Sequence, residues 1–380
     1  MVRTEICDLF GIEHPILLAG MGTASTPELA AAVSNAGGLG VMGAASLGPK
    51  GLREWIARCR SLTDKPFGVD TLLPASVRRG ANLKAMSNGP LPQDLVPEYR
   101  EMAAAFLQRE GIDPADPKDI WPEPDGPPLL SKEFFEAQMD VIIEEKVPVY
   151  ASGLGSPGPW IERLHANGTK VLAVVGTVRH ARQVTPAGID AIVAQGHDGG
   201  GHNSPIGTMA LVPQVVDAVG DQIPVIAAGG IVDGRGVAAA LMLGAPGAWI
   251  GWAFLASIEA GLFDGQKQAI VEATEEGTTV SRSVTGKPAR MIKSKWTKLW
   301  EESGKDPLPM PFQSQVSRGQ PRRPVAGREP RVRGTGHRHD QGRPPGGGDH
   351  GRHRGGRRPH PGRTHGRGAR LNDTMQKESP

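Results

Sequence analysis

The sequence predicts an α/β protein built as a (β/α)8 barrel, a TIM-barrel architecture, with an insertion after its third strand and a disordered C-terminal tail. Three observations carry this expectation. Short apolar runs alternate eight times with segments of helical periodicity, the rhythm of a parallel sheet with crossover helices. A chain of 380 residues has room for one such barrel with attachments. The first strand is not followed by the GxGxxG turn of a doubly wound dinucleotide fold, so closure into a barrel is the economical arrangement.

Pro15 to Ala19 (PILLA) is the first strand, and Gly20-Met21-Gly22 is the loop at its end. Ser25 or Thr26 caps the next helix, with Pro27 at its first position and Leu29, Ala30, Val33 and Ala36 facing the core. Gly38 to Gly43 is the second strand, Leu52 to Cys59 part of the second helix, and Pro66 to Leu72 the third strand. From Pro74 to Ser131 the rhythm breaks: prolines are frequent, PDGPP at 124–128 is dense in turn residues, and only Leu95 to Gln108 reads as helix. Such a stretch is too long for an ordinary βα loop and is an insertion. It follows a strand's C-terminal end, where barrel active sites lie, so a lid or substrate-selecting cap is one reading and a solvated decoration the other.

Regularity returns with a helix from Glu133 to Lys146 and the fourth strand, Val147 to Ala151. Helix Pro159 to Asn167 leads to strand five, Lys170 to Val175, and helix Arg179 to Val184 to strand six, Ala191 to Ala194. Pro213 to Val219 precedes strand seven, Pro224 to Ala228, and Gly234 to Leu243 precedes strand eight, Ala248 to Trp252. Charged helices around Ile258 to Glu276 and Lys293 to Glu302 follow, with a basic loop, Ser281 to Lys293, between them.

The net charge of +3 averages two unlike parts. Fifteen arginines and three acidic residues fall between Ser317 and Arg370, so the remainder of the chain is acidic by nine charges. The tail's aliphatic side chains are only Val325, Ala326, Val332 and Ala369. Such a segment cannot bury enough apolar surface to offset its ordering entropy, which predicts a barrel domain over 1–316 and a disordered tail over 317–380. The two cysteines, Cys7 and Cys59, have no metal-ligand spacing, so no metal site is expected and a reducing cytoplasm fits. No signal peptide and no run of about 20 apolar residues is visible, which predicts a soluble protein away from the membrane.

Chemistry concentrates where strand six ends. Gln195 opens a loop with four glycines (Gly196, Gly199, Gly200, Gly201) that delivers His202. Glycines let the backbone approach a ligand with no Cβ in the way, so the expected product is an open floor with one titratable group at its edge. A solvated glycine turn is the plainer alternative. Strands seven and eight end in Gly229-Gly230 and Gly251-Trp252. In barrels a phosphate commonly sits between these two loops, held by backbone N–H groups, so a phosphate-bearing cofactor is expected.

HPILLAGMG, AAVSNAGGLG, KPFGV, QGHDGGGH, IPVIAAGGI and GWAFLAS, taken in order, resemble the FMN-dependent nitronate monooxygenase (2-nitropropane dioxygenase) family. They are also similar to its relatives, the FMN-dependent enoyl-acyl-carrier-protein reductases. The resemblance covers about residues 5 to 295, apart from the insertion. It implies FMN as cofactor, with Gly20, Met21 and Gly22 against the isoalloxazine ring, and Gln195, Gly200 and Gly201 beside the flavin. Gly229, Gly230, Gly251 and Trp252 would hold the phosphate. His202 would be the base or substrate-orienting group, with His197 on the same loop as its competitor. Asp70 stands where the family has asparagine, and Trp252 where it has threonine or serine.

Two reactions follow from that resemblance: oxidation of a nitronate by dioxygen, and NAD(P)H-dependent reduction of an enoyl thioester. The first is preferred because it needs no nicotinamide site. The Arg/Gly tail admits a third reading, nonspecific RNA binding, but it lacks any aromatic residue to stack a base. Arginine without lysine, beside Gly, Pro and His, is what a GC-rich coding sequence yields out of frame, so a frameshift near Ser317 is the preferred account. The resemblance implies that the frameshift replaces a segment, with an AGQ-like turn, that passes back over the flavin. Neither the oligomeric state nor the physiological substrate is legible.

Overall fold

The computed structural model describes residues 2–73, 91–111, 126–127 and 131–317. The apolar runs form strands β1 (Ile16–Leu18), β2 (Gly40–Gly43), β3 (Phe67–Leu72), β4 (Val149–Leu154), β5 (Lys170–Val175) and β6 (Ala191–Gln195). A two-residue strand, β7 (Gly201–His202), precedes β8 (Val225–Ala228) and β9 (Ala248–Ile250), and β10 (Thr278–Ser281) and β11 (Ala289–Ile292) complete the set.

Eight strands pair in parallel in the order β2-β3-β4-β5-β6-β8-β9-β1. A parallel bridge from Leu17 to Leu39 joins the two ends, and Leu18 N–H donates to the Leu39 carbonyl at 2.8 Å. The barrel of the sequence analysis is therefore present and closed. Its strands are buried on both faces, which is why they read as continuous apolar runs rather than alternating ones. Leu17, Val41, Val149, Leu172, Val193, Ile226 and Trp249 belong to the cluster that fills the axis. Leu18, Val69, Tyr150, Ala173, Ile192 and Ala227 face the other way, into the layer shared with the helices.

The helices are α1 (Glu5–Phe10), α2 (Pro27–Asn35), α3 (Pro49–Leu62), α4 (Val96–Arg109), α5 (Lys132–Glu144), α6 (Ile161–Ala166), α7 (Val178–Val184), α8 (Thr208–Val219), α9 (Gly234–Met242), α10 (Asp264–Glu272), α11 (Lys295–Ser303) and α12 (Phe312–Ser317). Thr26 is the residue that caps α2, its hydroxyl accepting the Leu29 N–H at 3.1 Å. No helix among the described residues is long and apolar enough to cross a membrane.

Two local expectations are corrected. Helix α8 starts at Thr208, not at Pro213. Proline suits a first turn, but here the Asp198 carboxylate accepts the Thr208 N–H at 2.8 Å and fixes the start five residues earlier. Proline removes the hydrogen bond to the residue four back; that residue is Met209, which is 67% exposed, so water can serve its carbonyl. The basic loop at 281–293 contains half of a β-hairpin, because β11 finds partners in both β10 and the distant β7.

The described part of the insertion is mainly α4, whose Val96, Tyr99, Ala103, Phe106 and Leu107 recur at helical spacing. That face packs on Trp296, Leu299 and Trp300 of α11, and on Leu308 and Val316. Ring centroids lie 5.6 Å apart for Tyr99–Trp300 and 6.5 Å for Phe106–Trp296. The remainder of the insertion and the expected tail beyond Ser317 lie outside the described residues.

Candidate functional site

Strand alternation decides which side chains reach the mouth of the barrel. Two residues beyond Val41, Val193 and Trp249 come Gly43, Gln195 and Gly251, and Asp70 is in register with Gly43. These positions lie at the C-terminal ends of the strands, where barrel enzymes carry their chemistry.

The loop after β1 is pinned to that rim. Ser25, considered as a helix cap, is fully buried and instead accepts the Met21 N–H at 2.8 Å while donating to the Ala19 carbonyl at 2.9 Å. The Met21 sulfur lies 3.0 Å from where a Cβ on Gly251 would stand, and a Cβ on Gly20 would collide with the Asp70 side chain. Gly22 packs directly against Gly43. Farther round, the Trp252 ring approaches Gly200, and a Cβ on Gly230 would lie 3.1 Å from the Asp198 Cβ. Gly20, Met21, Gly22, Asp70, Gly200, Gly229, Gly230, Gly251 and Trp252 thus lie at or just beyond the C-terminal ends of β1, β3, β6, β8 and β9.

The β6 loop is held from both sides. Gln195 Nε2 donates to the His202 carbonyl at 2.7 Å. The strand β7 pairs with β11, Ala289 opposite His202 and Arg290 opposite Gly201. His202 Nε2 and Thr285 Oγ1 share a hydrogen bond at 2.8 Å. Burial, helped by the charge of Lys287, pushes the His202 pKa down to about 4. The ring is neutral at neutral pH, a proton acceptor and not a cationic anchor.

His197 is occupied differently. Its Nδ1–H donates to the Ser204 carbonyl at 2.9 Å. Its own carbonyl accepts from Asn203 Nδ2 at 2.9 Å and from Arg290 Nε and Nη2 at 3.3 and 3.2 Å. Thr285, Arg290 and Thr208 were not singled out in the sequence. Nothing local marks them, since Thr285 lies 83 residues beyond its histidine.

Near Gly229 the chain packs on itself. A Cβ there would stand 2.6 Å from Thr208 Oγ1 and 2.9 Å from the Gly199 nitrogen, and its φ is +108°. A side chain at 229 would strike the protein before it reached any ligand. Gly229 and Gly230 follow β8, and Gly251 and Trp252 follow β9, the strand beside it. Backbone N–H groups at two adjacent strand ends, three of the four on glycines, can cradle an anion.

A cavity of about 360 Å³ lies at the opposite, N-terminal end of the barrel, between Glu5, Asp217, Asp221 and Pro246. It holds carboxylates and no base or donor cluster, so the C-terminal mouth is the better candidate.

A closed (β/α)8 barrel with a neutral histidine and a buried carboxyl at the C-terminal ends of its strands has the layout of a barrel enzyme. The family model described as Nitronate monooxygenase matches residues 3–334. The monooxygenase Rv1533 of Mycobacterium tuberculosis is 41% identical over 317 residues, 82% of each chain. A nitronate monooxygenase of Staphylococcus saprophyticus is 34% identical over 83% of this chain and 86% of its own. Among solved structures, a nitroalkane oxidase from Streptomyces ansochromogenes is similar at a TM-score of 0.67, with 32% identity over 83% of this chain and 85% of that one. FabK from Thermotoga maritima is similar at 0.62, with 37% identity over 83% and 81%. The chain belongs to the nitronate monooxygenase family. It is a flavin-dependent oxidoreductase, as the sequence motifs implied.

Proposed function

We propose that the flavin is FMN and that the enzyme oxidises alkyl nitronates with dioxygen. The observation that supports the cofactor is the placing of Gly229-Gly230 and Gly251-Trp252 at the ends of two adjacent strands, whose backbone N–H groups would suit a terminal phosphate. Trp252 brings no hydroxyl to that site, so the phosphate would rest on backbone donors alone. Gly20 to Gly22 and Gly200 leave the floor flat enough for a ring system. Bound FMN would supply the electron transfer.

The chain's own groups do the remainder. A nitronate arrives already deprotonated, so no proton has to be removed before it reacts. His202, neutral and fixed by Thr285, orients that anion and takes up or returns a proton at Nδ1 or Nε2 as charge changes beside it. His197 is tied into the loop and serves its shape. The insertion is proposed as a cap over the substrate, and the tail after Val316 as a frameshifted terminus.

The test is spectroscopic. Purified protein supplied with FMN should show a bound-flavin spectrum, bleached under anaerobic conditions by an alkyl nitronate and restored by dioxygen. The likeness to FabK favours one competing reading, an NAD(P)H-dependent enoyl-thioester reductase. Rapid bleaching by NADH or NADPH, with none by nitronates, would transfer the assignment to it.

A further inference from the structure

Asp70 is the one ionisable side chain on β3, and it stands in the barrel's uppermost interior layer with no counter-charge among the described residues. Gly43 on β2 and Ala151 on β4 flank it in register, and Gly20 abuts it from the β1 loop. Its Oδ1 accepts the Gly153 N–H at 2.9 Å. Its Oδ2 is against Gly20, and no cation is within ion-pair reach among the described residues. The side chain is 9% exposed, at the floor of the mouth.

Among the described residues, the elements that flank Asp70 carry no other charge. The β2 strand and the β1 loop contain no titratable residue, and β4 contributes only Tyr150. The Tyr150 hydroxyl is buried, bonded to Thr71 Oγ1 at 3.0 Å, and pushed above its ordinary range by burial. A lone carboxylate with one N–H partner in such a place is poorly compensated. Burial accordingly pushes the Asp70 pKa up to about 8, against the opposing Gly153 hydrogen bond.

We propose that Asp70 works as a neutral acid, accepting from Gly153 through one oxygen and donating its O–H into the mouth through the other, toward an acceptor atom of the flavin ring. It would be a binding residue whose donor exists only while the proton stays on. The role rests on the flavin reading. When the proton leaves, the donor would become a buried anion facing the lone pair of that acceptor atom, and affinity would fall. Asparagine offers the same shape with an N–H donor that does not titrate, so Asp70→Asn isolates the effect.

Two measurements test this. The first needs no cofactor: the side-chain carboxyl of Asp70, followed by carbon NMR in the flavin-free protein with Asp70→Asn to assign the signal, should titrate above neutrality. A carboxyl already ionised at about pH 6 overturns the proposal. The second is FMN affinity by fluorescence quenching from about pH 6 to about pH 10. Wild type should lose roughly tenfold per pH unit above the Asp70 pKa, while Asp70→Asn stays flat. The same pH course in both proteins overturns the role of Asp70 alone. No FMN binding at any pH overturns the cofactor reading, and the donor role with it.

Discussion

At the scale of single residues, two histidines on one loop have been sorted by what they touch. His197 donates to a carbonyl and anchors the loop, whereas His202 meets a hydroxyl at the rim. His202→Ala should keep flavin and lose most turnover, and His197→Ala should be milder in turnover and costlier in stability. The pH dependence has a fixed sign. The folded-state pKa of His202, about 4, lies below its ordinary 6.5, so between these values the unfolded chain binds more protons than the native one. Stability contributed by keeping the ring neutral is complete above pH 6.5 and is lost as pH falls toward 4, by at most about 3 kcal/mol. Denaturant unfolding at several pH values should show this loss in wild type and not in His202→Gln. An identical acid response in both would show that the ring is not shielded in the native state.

At the scale of elements, the hairpin of β10 and β11 is the scaffold of the histidine loop. Arg290 on β11 reaches the His197 carbonyl with two nitrogens and Thr278 Oγ1 at 3.1 Å with a third. Arg290→Ala should cost about 1–2 kcal/mol and speed amide exchange over residues 196–202 along with the fall in turnover. A fall in turnover with unchanged exchange would mean that Arg290 acts on the substrate and not through the loop. The local sequence SRSVTGKPARMIK has a turn and basic residues but no clear alternation, and it was read as a loop. Its strand character comes from pairing with β10 just before it and, on the other edge, with β7 about ninety residues earlier, a partner that no local window on the sequence contains.

At the scale of the whole molecule, the barrel carries a second small core beside its main one. Helix α4, from the insertion, and α11 and α12, from the end of the described chain, bury Tyr99, Trp296, Trp300 and Val316 together. A chain ending at Ser317 should therefore keep its melting temperature and its flavin affinity. Removing residues 312–317 as well should uncover this cluster and lower the melting temperature by several degrees. Thermal unfolding of both truncations checks the pair. If the first already unfolds early, residues beyond Ser317 belong to the fold and the frameshift account fails.

The sequence by itself determined the eight strands, their parallel order of use and the barrel, because strands buried on both faces must be apolar throughout and glycine turns must mark their ends. It also marked the glycine loops at the strand ends, since a backbone that turns tightly or packs closely there leaves little room for a Cβ. Strand ends were legible to within a few residues, as with Lys170–Val175, which was read without error. What only the tertiary structure decided was every contact between distant segments. Thr285 on His202, Arg290 on His197 and Asp198 on the start of α8 join residues whose types are ordinary where they stand. The same holds for Asp70: as a letter it is an acidic residue in a strand, and its character as a buried acid comes from the absence of charge on three neighbouring elements. Desolvation and pairing depend on what surrounds a group in space, and that information exists only once the barrel has closed.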